Sequence, residues 1–285
     1  MKLLSLTRFC AIITLMHNLG QTFIPYLVVA FIYFAVAADF WRGNKPDAIT
    51  FKLHSAILAL GLVVHGWLLY AGIFSQGFNL GFYQALSAIL WLTVLIYWLA
   101  DLEHQLHSLQ AFVLPPAAVC ALLPAFFNSS HFLPANASGL FLTHIGIALL
   151  AYGLFTFAAL HGLLMYFAEA NLHNKPSPLK SLDFPPLMVM ESLLFKVISL
   201  GFILLTITLI SGMLFSEQIF QKPLQFNHKT IFSIASWLIY GGLLFGRFKF
   251  GWRGKKAIRW TLIGFVLLLL AYIGSKFILQ VLLNH

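Results

Sequence analysis

Long hydrophobic runs, broken by short polar segments, recur along the whole chain. Several of them reach the ~20 apolar residues that an α-helix needs to cross a bilayer. The pattern predicts an all-α, polytopic integral membrane protein with about eight transmembrane helices in a single domain over residues 23–283. The predicted helices are Tyr26–Phe40, Leu53–Phe74, Tyr83–Ala100, Leu109–Phe127, Gly139–Ala168, Met190–Phe215, Thr230–Gly246 and Ala257–Leu283.

The first 22 residues form an N-terminal tail that does not fit this pattern. Arg8 interrupts the tail, and the apolar stretch Phe9–Met16 is too short to span a bilayer. Three interpretations stay open: a signal peptide, an interfacial segment, or an upstream start that the protein does not need. A signal peptide should end in a small-residue cleavage site, and no convincing one follows.

Composition and charge support the membrane class and orient the helices. The chain is 60% hydrophobic and only 9% charged, whereas soluble domains carry about 25% charged residues. Cytoplasmic loops of membrane proteins carry an excess of Lys and Arg, and alternate loops here hold most of the basic residues, which predicts that both termini face outward. These residues are Arg42, Lys45, Lys52, Lys175, Lys180, Arg247, Lys249, Arg253, Lys255, Lys256 and Arg259. No separate basic domain is present, so no nucleic-acid partner is expected.

The acidic residues and cysteines exclude several kinds of chemistry. Cys10 and Cys120 are far apart and form no CxxC pair, which argues against thiol exchange and a thiolate metal site. No carboxylate falls deep inside a predicted helix, whereas proton and cation transporters usually embed one. Glu191 and Lys196 lie five residues apart near an inner helix end, where a loose local ion pair or a lipid-headgroup contact is expected.

Histidines within the apolar helices are the candidate functional groups. An ionisable side chain inside a membrane helix suggests a functional site, and neutral imidazole is a common metal and haem ligand. His144 is predicted about 7 Å below the outer edge, with His161 roughly 25 Å further along the same helix, so the two cannot serve one site. His65 is predicted near mid-membrane. His54 and His161, near the inner interface, are expected to be structural.

One segment, Met190–Tyr240, resembles the core of the cytochrome c assembly family, the CcsA/CcmC/CcmF group. The family pattern GFxLLTxxxxSG is similar to Gly201–Thr206 followed by Ser211-Gly212. Lys229 and the run Trp237–Tyr240 resemble the helix that follows the family's tryptophan-rich WWD loop. The last helix is most similar to the HemX/YpjD-like branch, and the resemblance covers roughly residues 24–283.

This resemblance implies haem handling and names candidate ligands. His144, with Tyr152 downstream, matches a family helix that carries an outward-facing haem-ligand histidine, and His65 falls in the helix with the membrane-embedded ligand. We therefore expect haem b to be bound through His144 or His65, with His228 as a third candidate. Lys222 and Lys229 are candidate propionate contacts. The resemblance implies haem, other cytochrome c assembly components and the lipid bilayer as partners.

The chain also departs from the family pattern. Aligned without gaps, Phe220, Leu224 and Phe226 stand where tryptophans of the WWD loop belong, with Asn227 in place of its Asp. The family's second membrane histidine would fall near Gly246-Arg247, and its second outer histidine near Gly274-Ser275. This chain has no histidine at either place.

These departures argue against complete haem-lyase activity, and we expect no enzyme. The first hypothesis is an inner-membrane haem-binding or haem-handling protein related to cytochrome c assembly. The alternatives are a structural or interaction subunit without haem, and a small-solute or ion transporter, which the missing intramembrane carboxylates disfavour.

Overall fold

The structure, a computed structural model, describes residues 23–41, 48–74, 78–104, 107–127, 139–173, 185–214 and 228–271. Within these ranges the chain forms eight α-helices. They are α1 Phe23–Trp41, α2 Ala48–Phe74, α3 Phe82–His104, α4 His107–Phe126, α5 Gly139–His173, α6 Leu187–Leu214, α7 His228–Phe250 and α8 Gly254–Leu269.

The all-helical membrane architecture predicted from the hydrophobic pattern is confirmed. Six of the described helices, α1, α2, α3, α5, α6 and α7, are long and apolar enough to cross a membrane. The apolar part of α4 is shorter, Phe112–Phe126, and the structure describes α8 only over its first 16 residues. The N-terminal tail, Lys222, the segment aligned with the WWD loop and Gly274-Ser275 lie outside the described residues.

Helix boundaries differ most from the prediction where polar residues continue a helix beyond its apolar part. The predicted fifth helix stops at Ala168, but α5 continues to His173. The predicted second helix begins at Leu53, whereas α2 begins at Ala48. Hydropathy identifies only the part of a helix that lies inside the membrane. The backbone hydrogen bonds of the helix continue beyond that part into the interface, so the helix is longer than the apolar segment.

The central helix of the bundle is α5. It packs against α3, α4, α6 and α8, and Phe155, Phe157, Ala158 and His161 on it are completely buried. Phe155 stacks on Tyr240 of α7, with ring centroids 4.0 Å apart. His144 and His161 are thus both carried on the helix that holds the bundle together.

The two ends of the bundle differ in charge. The described basic residues collect at one end, which we call the inner end from the positive-inside rule. They are Lys52, Arg247, Lys249, Arg253, Lys255, Lys256 and Arg259. Lys229 begins α7 at the opposite, outer end, together with His144 in the second turn of α5. Lys196 lies within α6 and is exposed.

A tight turn joins α7 to α8 at the inner end. Gly251 has a φ of +65°, the left-handed conformation that glycine adopts without steric cost, and its N–H donates to the Arg247 carbonyl at 3.1 Å. This arrangement is a common helix C-cap. Trp252 folds back so closely that a Cβ on Gly246 would lie 2.4 Å from its indole ring. The turn therefore depends on glycine at both positions.

Candidate functional site

His144 is half-buried at the outer end of the bundle, between α5 and α6. Its Nδ1 lies 2.8 Å from the Ser211 hydroxyl oxygen. The Ser211 hydroxyl donates its own hydrogen to the Thr208 carbonyl at 3.1 Å. With that hydrogen used, the Ser211 oxygen can accept from the Nδ1–H of His144, because a hydroxyl has only one hydrogen. In this tautomer Nε2 carries the lone pair of the ring.

Metal-bound histidines usually show this arrangement. The nitrogen that does not bind the metal donates to an oxygen of the protein, which fixes the tautomer and the orientation of the ring. Ser211 supplies that oxygen here, and Gly212 lies beside the ring, since a Cβ there would stand 3.5 Å from Cε1 of His144. The residues around His144 therefore suit an imidazole that coordinates through Nε2.

Basic groups lie beside this histidine. Lys229, in the first turn of α7, acts electrostatically on His144, and its side chain and that of His228 are exposed. A cationic side chain beside a candidate metal-binding imidazole can pair with a carboxylate of the same ligand. The structure thus brings two of the sequence-predicted residues, His144 and Lys229, into one neighbourhood at the outer end.

The other motif residues bind α6 to α7 below this site. The Trp237 indole donates to the Thr206 hydroxyl oxygen at 2.8 Å, and its ring stacks on Phe202 with centroids 5.5 Å apart. Hydrogen bonds and close packing between helices replace the hydrophobic effect as the source of association inside a bilayer. These residues hold the two helices whose outer ends carry Ser211 and Lys229.

His65 occupies a different environment. It is 1% exposed, its Nδ1 lies 3.2 Å from the Tyr33 hydroxyl, and its Nε2 lies 2.9 Å from the Ser87 hydroxyl. Beside it, a cavity bordered by Tyr26, Gln84 and other side chains has room for about one water molecule. His65 could bind a haem iron only by giving up one hydrogen bond and enlarging this cavity. Its partners belong to α1 and α3, whereas Ser211 belongs to α6.

The inner histidines are held in structural contacts, in line with the expectation from their depth. His161 is fully buried; its Nε2 lies 2.9 Å from the Met190 carbonyl oxygen and its Nδ1 3.3 Å from the Tyr97 hydroxyl. His54 lies 3.1 Å from a carboxylate oxygen of Asp39. These contacts tie α5 to α3 and α6, and α2 to α1.

The expected local contact of Glu191 is wrong. Its carboxylate lies 2.6 Å from Nη1 of Arg247 and 2.9 Å from Nε of Arg253, and it accepts from the Gly254 N–H at 3.3 Å. Glu191 is buried and Lys196 is exposed. The two arginines are 56 and 62 residues further along the chain, so spacing along α6 could not reveal this cluster, which fastens α6 to the α7–α8 turn.

Metal coordination by several protein side chains finds no support in the described part of the chain. Within those ranges, no three His, Cys, Asp or Glu side chains come together in a way that could hold a metal ion. An iron held mainly by a porphyrin needs only one or two axial ligands from the protein. Among the described residues, the environment of His144 is therefore compatible with a haem ligand and offers no second and third protein ligand for a metal ion.

The fold and this site define a polytopic helical membrane protein with an oriented imidazole near its outer surface. The sequence profile described as "Cytochrome C assembly protein" matches residues 53–283. The chain belongs to the cytochrome c assembly protein family.

Three relatives illustrate the range of this similarity. The chain is 29% identical over 229 residues to "Inner membrane protein YpjD" of Escherichia coli strain K12, covering 79% of this chain and 85% of the relative. A 28.8 kDa protein of Azospirillum brasilense from the nifR3-like 5' region is 32% identical over 71% of this chain and 78% of its own length. "Cytochrome c biogenesis protein CcsA" of Prochlorococcus marinus strain AS9601 is 25% identical over 69% and 72% of the two chains. No solved structure matches the chain significantly.

Proposed function

We propose that this protein is a multi-pass inner-membrane protein that binds or handles haem in a process related to cytochrome c assembly. The observation that carries the proposal is the orientation of His144 at the outer end, where the hydrogen bond between its Nδ1 and the Ser211 hydroxyl holds the ring. Membership of the cytochrome c assembly family supports it, as does the similarity to a protein named for cytochrome c biogenesis.

In this proposal the chain's own residues bind and orient a haem b near the outer leaflet. A bound haem would supply an iron that an imidazole nitrogen can coordinate. His144 would be that ligand, with its ring held by Ser211. Lys229 would pair with a propionate, as would Lys222 in the segment before α7, and His228 is a further candidate ligand at the mouth of α7.

His65 is proposed as a second, separate ligand position. Its use requires release of the hydrogen bond to Tyr33 or to Ser87, so we expect haem to occupy the His144 position first. Residues 215–227 between α6 and α7, which include the segment aligned with the WWD loop, carry none of that loop's tryptophans. This supports handling of haem without the complete activity of attaching it to an apocytochrome.

Haemin titration of the purified protein tests the proposal. The wild-type protein should give a Soret band of ligated haem, and His144→Ala should lose most of it because the oriented axial nitrogen is gone. His173→Ala changes a histidine at the other end of α5 and should titrate like the wild type. His65→Ala should retain the Soret band. If only this variant lost the band, His65 and not His144 would be the haem ligand. An unchanged Soret band in the His65→Ala, His144→Ala double variant would refute both assignments.

Ser211 provides a second test of the same site. Ser211→Ala removes the acceptor for Nδ1–H, and we expect haem affinity to fall about 10- to 100-fold, the usual effect of losing such an outer partner of a metal-bound histidine. Ser211→Thr keeps a hydroxyl and should restore most of the affinity. The readouts are haem affinity and the reduction potential from spectroelectrochemistry. Equal values for the wild type, Ser211→Ala and Ser211→Thr would show that Ser211 does not contribute to the haem site.

A structural or interaction subunit without haem is the second candidate. The saturated hydrogen bonding of His65 and the lost WWD tryptophans favour it. It predicts a colourless protein when purified from its native membrane, and co-purification with a membrane partner. An absorption spectrum of that preparation separates the two candidates.

A further inference from the structure

The turn between α7 and α8 concentrates positive charge at the inner end. Six basic residues fall within the 13 positions from Arg247 to Arg259, and no Asp or Glu occurs between residues 228 and 271. Among the described residues, the carboxylates that pair with these cations come from other helices: Glu191 pairs with Arg247 and Arg253, and Glu169 lies 3.9 Å from Lys255. Within the described ranges, six cations against these two carboxylates leave an excess of four positive charges.

Two of the cations that Glu191 does not engage, Lys249 and Lys256, lie beside aromatic rings. Phe248 is 92% exposed and Phe250 is 63% exposed, and Lys249 lies between them in the sequence. The Lys256 ammonium lies 3.7 Å from the centroid of the Trp252 ring, a cation–π contact that holds it beside the turn. Apolar rings and ammonium groups thus alternate over a short stretch of backbone.

This surface lies at the edge of the bundle. The buried residues of α7 are Ser236, Tyr240, Leu243 and Gly246. They occupy one side of the helix, where Ser236 and Tyr240 donate to backbone carbonyls of α8. Phe248, Lys249 and Phe250 lie in its last turn, where an inner-leaflet lipid would meet the protein. Lysines at such positions extend to the headgroups, while aromatic side chains contact the acyl region.

We propose that the α7–α8 turn binds an anionic phospholipid of the inner leaflet. Lys249 and Lys256 hold the headgroup phosphate, Arg259 adds to the attraction, and Phe248 and Phe250 contact the acyl chains. Clusters of Lys and Arg directly beside a membrane helix are typical of anionic-lipid recognition. The proposal is independent of haem binding, because it concerns the opposite end of the bundle from His144.

Lipid retention after exchange into mixed nanodiscs tests this site. The protein is reconstituted with equal amounts of phosphatidylglycerol and phosphatidylcholine, then extracted, and the lipids that stay bound are counted by native mass spectrometry. The wild type should retain phosphatidylglycerol preferentially. Lys249→Gln combined with Lys256→Gln should lower the affinity for it about 25-fold, since each basic side chain near an anionic surface contributes about fivefold.

A matched charge control and an apolar variant make the test specific. Lys52→Gln combined with Lys196→Gln removes two exposed lysines elsewhere and should retain phosphatidylglycerol like the wild type. Phe248→Ala combined with Phe250→Ala keeps every charge and should weaken retention, because the acyl contact is lost. Equal retention by the Lys249/Lys256 variant and the wild type would overturn the proposal, as would an equal loss in the Lys52/Lys196 control. Glycerol phosphate that competes as well as the intact lipid would show a phosphate site and refute a lipid site.

Discussion

Glu191→Ala is expected to lower the free energy of unfolding by about 2–3 kcal/mol. The buried carboxylate accepts hydrogen bonds from two arginines and from the backbone N–H that begins α8. Removing one partner of a buried ionic cluster typically costs about 3–5 kcal/mol. We place the effect lower because the side chains of Arg247 and Arg253 are 32% and 54% exposed and can be solvated.

Equilibrium unfolding of the reconstituted protein in mixed micelles measures this loss. Glu191→Gln keeps the size and one acceptor oxygen, so its destabilisation should fall between those of the wild type and Glu191→Ala. Glu169→Ala removes the carboxylate of a more exposed pair, Glu169–Lys255, and should cost less than about 1 kcal/mol. If Lys196→Ala destabilised as much as Glu191→Ala, the local ion pair along α6 would be the better description.

Gly246→Ala should destabilise the protein by about 2–3 kcal/mol, although alanine is the better helix former. The new Cβ would lie 2.4 Å from the Trp252 indole, so the ring must leave its place against Trp260, 5.0 Å away between centroids. Forcing extra atoms into a packed site typically costs about 1–3 kcal/mol. Movement of Trp252 also disturbs its carbonyl, which accepts from Arg247 at 3.2 Å.

Gly72→Ala is the control for this prediction. A Cβ on Gly72 would meet nothing within 4 Å, so this variant keeps the gain of about 1 kcal/mol in helix propensity without the clash. Thermal unfolding followed by tryptophan fluorescence should show a lower midpoint for Gly246→Ala and an unchanged or higher midpoint for Gly72→Ala. A midpoint for Gly246→Ala at or above that of the wild type would mean that Trp252 can move without loss.

The helices could be predicted from the sequence because a membrane imposes a minimum apolar length on each of them. The different environments of His144 and His161 could also be predicted, since 17 residues of helix separate the two side chains by most of a bilayer. The partners of these histidines could not be predicted. Tyr97, Met190 and Ser211 reach them from other helices, and helical spacing carries no information about which helices become neighbours.

Ser211 shows what a closer analysis of the sequence could have found. Ser211 is part of the segment that resembles the family pattern, but the resemblance assigned no function to its hydroxyl group. Ser211 lies three residues before the end of α6, and His144 lies five residues after the start of α5. Adjacent antiparallel membrane helices bring such positions to the same depth, so two polar side chains there are candidates for a contact. The Glu191 cluster gave no comparable signal, because Arg247 and Arg253 belong to the most basic segment of the chain.

The length of α5 makes the depth of His144 sensitive to bilayer thickness. The candidate membrane span of α5 covers 31 residues and that of α7 covers 23, which correspond to about 46 Å and about 34 Å. The hydrocarbon layer is about 30 Å thick, so α7 nearly matches it whereas α5 must lean or project beyond it. A thicker membrane accommodates more of α5 and carries the imidazole deeper below the headgroups. We therefore expect the depth of His144 to change with the thickness of the membrane.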